Sequence, residues 1–240
     1  MNIGDPFIAS FTPLTIQRPV VWARYPSKKM QSKARINNIH SLQIALILLL
    51  SFVKYSKSVK LLGKNMSHIL VNWHKHKHPG YLGRNVTNEL SNTQLQRLMV
   101  QILQPIEREF GKVTVTYGYT SHSLLRWILK NSPGDMAPDI DQHASMELNS
   151  RGNRICKRDG AACDFYIEGY EHRMDEVAKY ICTHLAFDRL YFYGKNKPIH
   201  ISIGPENSRY ALIRQTRSDG LRVNTKSANG SATQTLFDDL

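Results

Sequence analysis

Apolar residues recur at helical spacing in three stretches of the chain. Leu95, Leu98, Met99, Ile102, Leu103 and Ile106 make one apolar face, preceded by Ser91-Asn92-Thr93-Gln94 with the hydroxyl-to-amide spacing of a capping box. Pro105 inside the run predicts a kink or an early stop, and Gly111 predicts its end. Leu124, Leu125, Ile128 and Leu129 predict a second helix, stopped at Asn131-Ser132-Pro133-Gly134, and Met174, Val177, Ala178, Ile181 and Leu185 a third. Alternation marks Val113, Val115 and Tyr117 as a half-buried strand and Phe165-Tyr166-Ile167 as a short one; Leu190 to Tyr193 and Ile199 to Ile203 read as a hairpin turning through Gly194 to Pro198. Residues 132–160, rich in turn and polar residues, form the kind of long excursion that is either functional or disordered. Helices and strands in this order predict an α+β domain, a small antiparallel sheet packed with helices, over residues 66–214. A basic extension at 1–65, expected to be poorly ordered, and a flexible Ser/Thr/Asn/Gly-rich tail at 215–240 complete the expected organisation.

Composition narrows the class. The chain has 240 residues, 41% apolar and 21% charged, which excludes a polytopic membrane protein, a collagen-like fibre and a wholly disordered chain. The formal charge of +13 is uneven: residues 1–65 hold ten Lys/Arg against Asp5 alone, leaving +4 for the rest. The extension therefore carries any expected anion or nucleic-acid contact, and the core need not. Its apolar run from Leu42 to Val53 is shorter than the 20 or so residues a membrane span requires, so no span is expected. Cys156, Cys163 and Cys182, few and odd in number, do not form a disulfide framework or a zinc ribbon. A reducing cytoplasm is the default compartment, with secretion or release to the cell wall left open.

Three places join metal-ligating residue types to structural punctuation. They are Asp141-Gln142-His143, Gly160-Ala161-Ala162-Cys163-Asp164 at a strand entry, and Pro198-Ile199-His200-Ile201-Ser202 with a His inside a strand. Two imidazoles and a carboxylate form a three-ligand zinc set with one position open, the coordination of a catalytic rather than a structural ion. The segment Trp73-His74-Lys75-His76-Lys77-His78 has alternate histidines that could share a strand face, but its interleaved lysines favour a solvated basic segment.

The order of these pieces resembles the zinc D-alanyl-D-alanine carboxypeptidase and endolysin peptidase family of the Hedgehog/DD-peptidase superfamily. The similar segments are Glu109-Phe110-Gly111, Tyr117-Gly118-Tyr119-Thr120-Ser121, His143 with Gly160 to Asp164, Phe187-Asp188-Arg189-Leu190, and Pro198 to Ser202, spanning about residues 85–213. The resemblance implies zinc held by His143, Asp164 and His200, and hydrolysis of an amide bond in a cell-wall-type peptide. The alternative is a catalytically inactive metal-binding descendant that binds a peptide, protein or nucleic acid.

The chain departs from the family pattern at three points. His143 and Asp164 lie twenty-one residues apart where seven is usual, so residues 144–157 read as an insertion beside the metal. Thr120 replaces the family arginine, leaving Arg126, Arg151, Arg154 and Arg158 as candidate substitutes. Lys197 and Tyr193 occupy the places of the acidic base, and Tyr is a poor base at neutral pH; Glu147 and Asp188 are the remaining candidates for that catalytic role.

Overall fold

The computed structural model describes residues 68–135 and 141–240; the extension at 1–65 and its apolar run lie outside the described residues. In chain order the elements begin with a short helix α1 (His74–Lys77). Helix α2 (Glu89–Leu98) passes through a π-helical stretch (Met99–Leu103) into α3 (Gln104–Phe110). Then come β1 (Val113–Tyr117), α4 (His122–Asn131), β2 (Ala161–Ile167) and α5 (Met174–His184). Strands β3 (Arg189–Phe192), β4 (Ile199–Ile203), β5 (Tyr210–Thr216) and β6 (Arg222–Ala228) follow, and a 3-10 segment (Gly230–Thr235) closes the order.

The three helical runs form where the spacing predicts them, with one shift of boundary. The cap of α2 is Asn88, whose side chain accepts from the Ser91 amide at 2.7 Å, not Ser91 itself. Ser91 is instead buried within the first turns, its hydroxyl accepting from the Met146 amide in the long excursion. Pro105 sits in the first turn of α3, immediately after the π-helical stretch. Its missing N–H falls where the hydrogen-bond register changes, so the helix is re-phased rather than ended. Gly111 then terminates it at φ 95°, a conformation that favours glycine.

The class is α+β, and the sheet has six strands in the order β1-β2-β4-β3-β5-β6. It is mixed rather than wholly antiparallel, because β5 runs parallel to β3 while the other pairs are antiparallel. One edge of β3 is taken by β4, so the chain crosses to the free edge and lays β5 there. One face carries Cys163, Phe165, Leu190, Ile199 and Ile201 into the main core, with Leu95, Leu98, Ile102, Met174, Val177 and Ile181 from the helices. All three cysteines are free and buried, Cys163 and Cys182 in this core.

The expected flexible tail at 215–240 is overturned. Residues Arg222–Ala228 pair with β5, and Phe237 is buried against Phe192 with ring centroids 5.3 Å apart. Ladder hydrogen bonds come from the backbone and need no apolar composition, and one aromatic anchor fastens the segment beyond them. The His-Lys segment also departs from a solvated run. It is a helical turn with Trp73, His74 and His78 buried, and Trp73 packs on Tyr117 at 4.0 Å. Among the described residues no helix is long and apolar enough to cross a membrane.

Candidate metal centre

Strand register assembles the floor of the site. Tyr117 of β1 pairs with Asp164 of β2, Asp164 with His200 of β4, His200 with Tyr191 of β3, and Tyr191 with Leu212 of β5. Directly paired residues point to one face of a sheet, so these five side chains form a single row across it, on the face opposite the helical core. The alternation in Cys163-Asp164-Phe165 and Ile199-His200-Ile201 turns the polar member of each triplet to this face and both apolar neighbours to the core.

The long excursion lays Asp141-Gln142-His143 over the row. His143 Nε2 lies 3.3 Å from Asp164 Oδ1 and 3.8 Å from Asp141 Oδ2. His200 Nδ1 lies 2.8 Å from the same Asp164 oxygen. The His143 ring packs edge-on against Tyr117 at 4.7 Å, and Tyr191 stacks on His200 at 4.8 Å, which fixes both ring planes. Asp141, His143 and His200 are buried, and one ligand atom from each lies within 4.8 Å of the others, a group able to hold a metal ion.

The donors suit a divalent ion. Bonds of roughly 2.0–2.1 Å at tetrahedral angles separate two ligand atoms by about 3.3 Å, and His143 Nε2 and Asp164 Oδ1 stand 3.3 Å apart. His200 Nε2 is buried without a hydrogen-bond partner. Asp141 completes a three-donor set with the two rings, whereas Asp164, the carboxylate expected as a ligand, hydrogen-bonds His200 Nδ1 at 2.8 Å. Burial pulls the His143 pKa down, but the carboxylates of Asp141 and Asp164 outweigh it and raise the ring to about 9. Burial likewise pushes Asp164 up, and the two imidazoles overcome it to hold the carboxylate well below its ordinary range. An incoming ion must therefore displace a proton from His143, which makes its binding pH-dependent.

The loop is held from behind. Gln142 and Ser145 have φ of 69° and 49°, and both side chains are tied down. Ser145 Oγ donates to the Gly160 carbonyl at 2.7 Å, and Gln142 Nε2 donates to Asp188 Oδ2 at 2.7 Å. Asp188, wholly buried, also accepts from Ser208 Oγ at 2.6 Å and from the Ser208 amide at 3.3 Å. Its role here is to anchor the loop that carries His143. Glu147 accepts a hydrogen bond from Tyr119 Oη. Neither of these candidate bases lines the cleft above the metal group, so the structure does not bring them to the site.

That cleft has a volume of about 540 Å³, and among the described residues its carboxylates are Asp141 and Asp164. None of Arg126, Arg151, Arg154 and Arg158 lines it; Arg154 pairs with Asp159 at 2.6 Å, and Arg158 donates to Gln142 Oε1 at 3.1 Å. The cations on its walls are Lys77, Lys197, Arg214 and Arg222. Tyr193 also lines it, its hydroxyl pushed up to about 12 by burial and by Asp164 against the pull of Arg214 and Arg222. The three places that join metal-ligating residues thus meet, and what the sequence does not reveal is that Asp141 faces His143 and that the β5–β6 cations line the cleft. Asp141, two positions before His143, carried the signal for the first. The apolar run Tyr210 to Ile213 leads into Arg214, but no apolar pattern marks β6, which bears Arg222. No family model, no curated protein and no solved structure matches the chain.

Proposed function

We propose that the cleft is a zinc centre that hydrolyses an amide bond in a cell-wall-type peptide, as in the carboxypeptidases and endolysin peptidases that the motif order resembles. The observation that supports this reading is the buried group of Asp141, His143 and His200, one ligand atom of each within 4.8 Å of the others, brought together from two separate segments. Imidazole and carboxylate donors suit zinc, and a three-residue set leaves a coordination position open. A zinc ion held there supplies Lewis-acid polarisation of a carbonyl and acidification of water. The chain's own residues do the rest. Tyr191 and Tyr117 hold the rings, Gln142 and Asp188 hold the loop, and Asp164 sits between both imidazoles.

A second reading has its own observation. Lys197 and Tyr193 occupy the positions of the family's acidic base, and Glu147 and Asp188 stand outside the cleft. That combination favours a metal-binding descendant that holds a peptide, protein or nucleic acid without cleaving it.

Metal analysis of the wild type and of His200→Ala, with muropeptide cleavage assayed with and without chelator, separates the two. The enzyme reading expects about one zinc per chain, its loss in His200→Ala, and chelator-sensitive cleavage. Stoichiometric zinc without turnover on a broad peptide panel selects the descendant, and full zinc retention by His200→Ala rejects the ligand set.

A further inference from the structure

The cleft joins two opposite electrostatic environments. Its floor holds Asp141 and Asp164 against His143 and His200, whereas its β4–β6 side holds Lys197, Arg214 and Arg222. Both carboxylates of the cleft are engaged by the histidines at the floor. Among the described residues, none of these three cations has a carboxylate within ion-pair distance, although their neighbours Arg217 and Lys226 pair with Asp219 at 3.1 Å and Asp239 at 4.0 Å.

The three are arranged by the sheet. Arg214 stands opposite Asn224 in the β5–β6 ladder, and Arg222 lies two residues before Asn224 on the same face. Arg214 is two residues beyond Leu212, the last member of the row that carries the metal group. It therefore stands roughly 7 Å along the strand from that row, and two strand spacings, about 10 Å, across from His200. The Arg222 guanidinium lies over the Tyr193 ring at 4.9 Å, which orients it. Arg214 Nε is shielded from solvent and has no hydrogen-bond partner, an unmet donor in a residue that lines the cleft. An occupant without an acceptor would leave the Arg214 donor unmet. A carboxylate or phosphate oxyanion matches guanidinium donors in charge and in planar geometry.

We propose that Lys197, Arg214 and Arg222 form an oxyanion-binding subsite, so that the substrate of the metal centre carries a carboxylate or phosphate beside the group that reacts. The inference rests on the reading of the floor as a metal centre, but the subsite itself binds anions with or without the ion. It also gives the missing family arginine a replacement from strands that lie largely beyond the resembling segments.

The test is calorimetric titration of the full-length protein, zinc-loaded and zinc-stripped, with inorganic phosphate and separately with N-acetylglycine. At least one probe is expected to bind one-to-one in both forms, and Arg214→Ala/Arg222→Ala to weaken it tenfold or more with zinc stoichiometry unchanged. Arg214→Lys/Arg222→Lys should recover part of the loss. Preference for phosphate identifies a phosphate-bearing substrate, and preference for N-acetylglycine a carboxylate-bearing one. Should the alanine pair not fold, Lys197→Gln/Arg222→Gln, at two exposed positions, asks the same question. Failure of both probes to bind saturably overturns the subsite. Equal binding in wild type and a folded variant does the same, because the anion then sits elsewhere on the chain. Anion binding that persists in a protein unable to hold zinc keeps the subsite and removes only the metal reading.

Discussion

Replacing Asp188 by Asn tests whether the loop bearing His143 is positioned from behind. The two side chains have the same shape, but the amide has one acceptor where the carboxylate has two. Asp188 Oδ2 accepts from Gln142 Nε2 at 2.7 Å, and Oδ1 from Ser208 Oγ at 2.6 Å and the Ser208 amide at 3.3 Å. Whichever way the Asn amide turns, its NH2 group meets a donor. Hydrogen bonds to a charged group contribute roughly 1.5–3 kcal/mol each, and a buried donor left unpaired costs about 1–3 kcal/mol. The expected loss is about 3 kcal/mol, or about 6–12 °C in thermal midpoint at 2–4 °C per kcal/mol for a domain of this size. Because Gln142 adjoins His143, zinc affinity should fall about tenfold or more. A pH series adds a sign. Burial works to raise the Asp188 pKa, but the bonds from Ser208 and Gln142 and the nearby Arg158 hold it below the ordinary value. The wild type therefore keeps this stabilisation above pH of about 4 and loses it as pH falls through the lower folded value. Thermal melts of wild type and Asp188→Asn should differ most near neutrality and converge on acidification. Equal midpoints and equal zinc affinity at pH 7 would refute the anchoring role.

Two further substitutions probe the scaffold. Gly160, at φ 130° just before β2, would place an alanine Cβ 1.8 Å from the Ile203 carbonyl oxygen, a backbone atom that cannot move aside. Gly160→Ala should cost about 3 kcal/mol or more, or prevent folding, and should reduce zinc binding by displacing the strand that carries Asp164; a chemical denaturation midpoint within error of wild type would contradict this. Phe237→Ala should destabilise the protein by about 3–5 kcal/mol because it empties a core position beneath the β5–β6 side. If residues 215–240 were a tail, the denaturation midpoint would not change.

The legible part of the site was local. His200 and Asp164 each sit between apolar neighbours in a short alternating stretch, and a polar residue at such a position must face away from the core that its neighbours enter. His143 is marked by its place in a turn-rich excursion beside Asp141, the acid two positions before it. Glu147 and Asp188, the remaining candidates for the base, are carboxylates near motif residues in sequence, yet one is engaged by Tyr119 and the other by Gln142 and Ser208. Arg222 is hidden for a different reason: its strand is recruited by the open backbone of β5, which leaves little trace in side-chain patterning.

By itself the sequence determined the three longer helical runs, the first four strands and the α+β class, because helical spacing and alternation are properties of a few consecutive residues. Tertiary structure alone decided the register that sets Tyr117, Asp164, His200, Tyr191 and Leu212 in one row, and the closure of the excursion that brings Asp141 and His143 over it. Only the tertiary structure also decided that residues 222–228 become a strand. Those outcomes depend on pairings between segments tens of residues apart, and such a pairing is fixed by which backbone edges and buried donors remain to be satisfied once the local elements have packed.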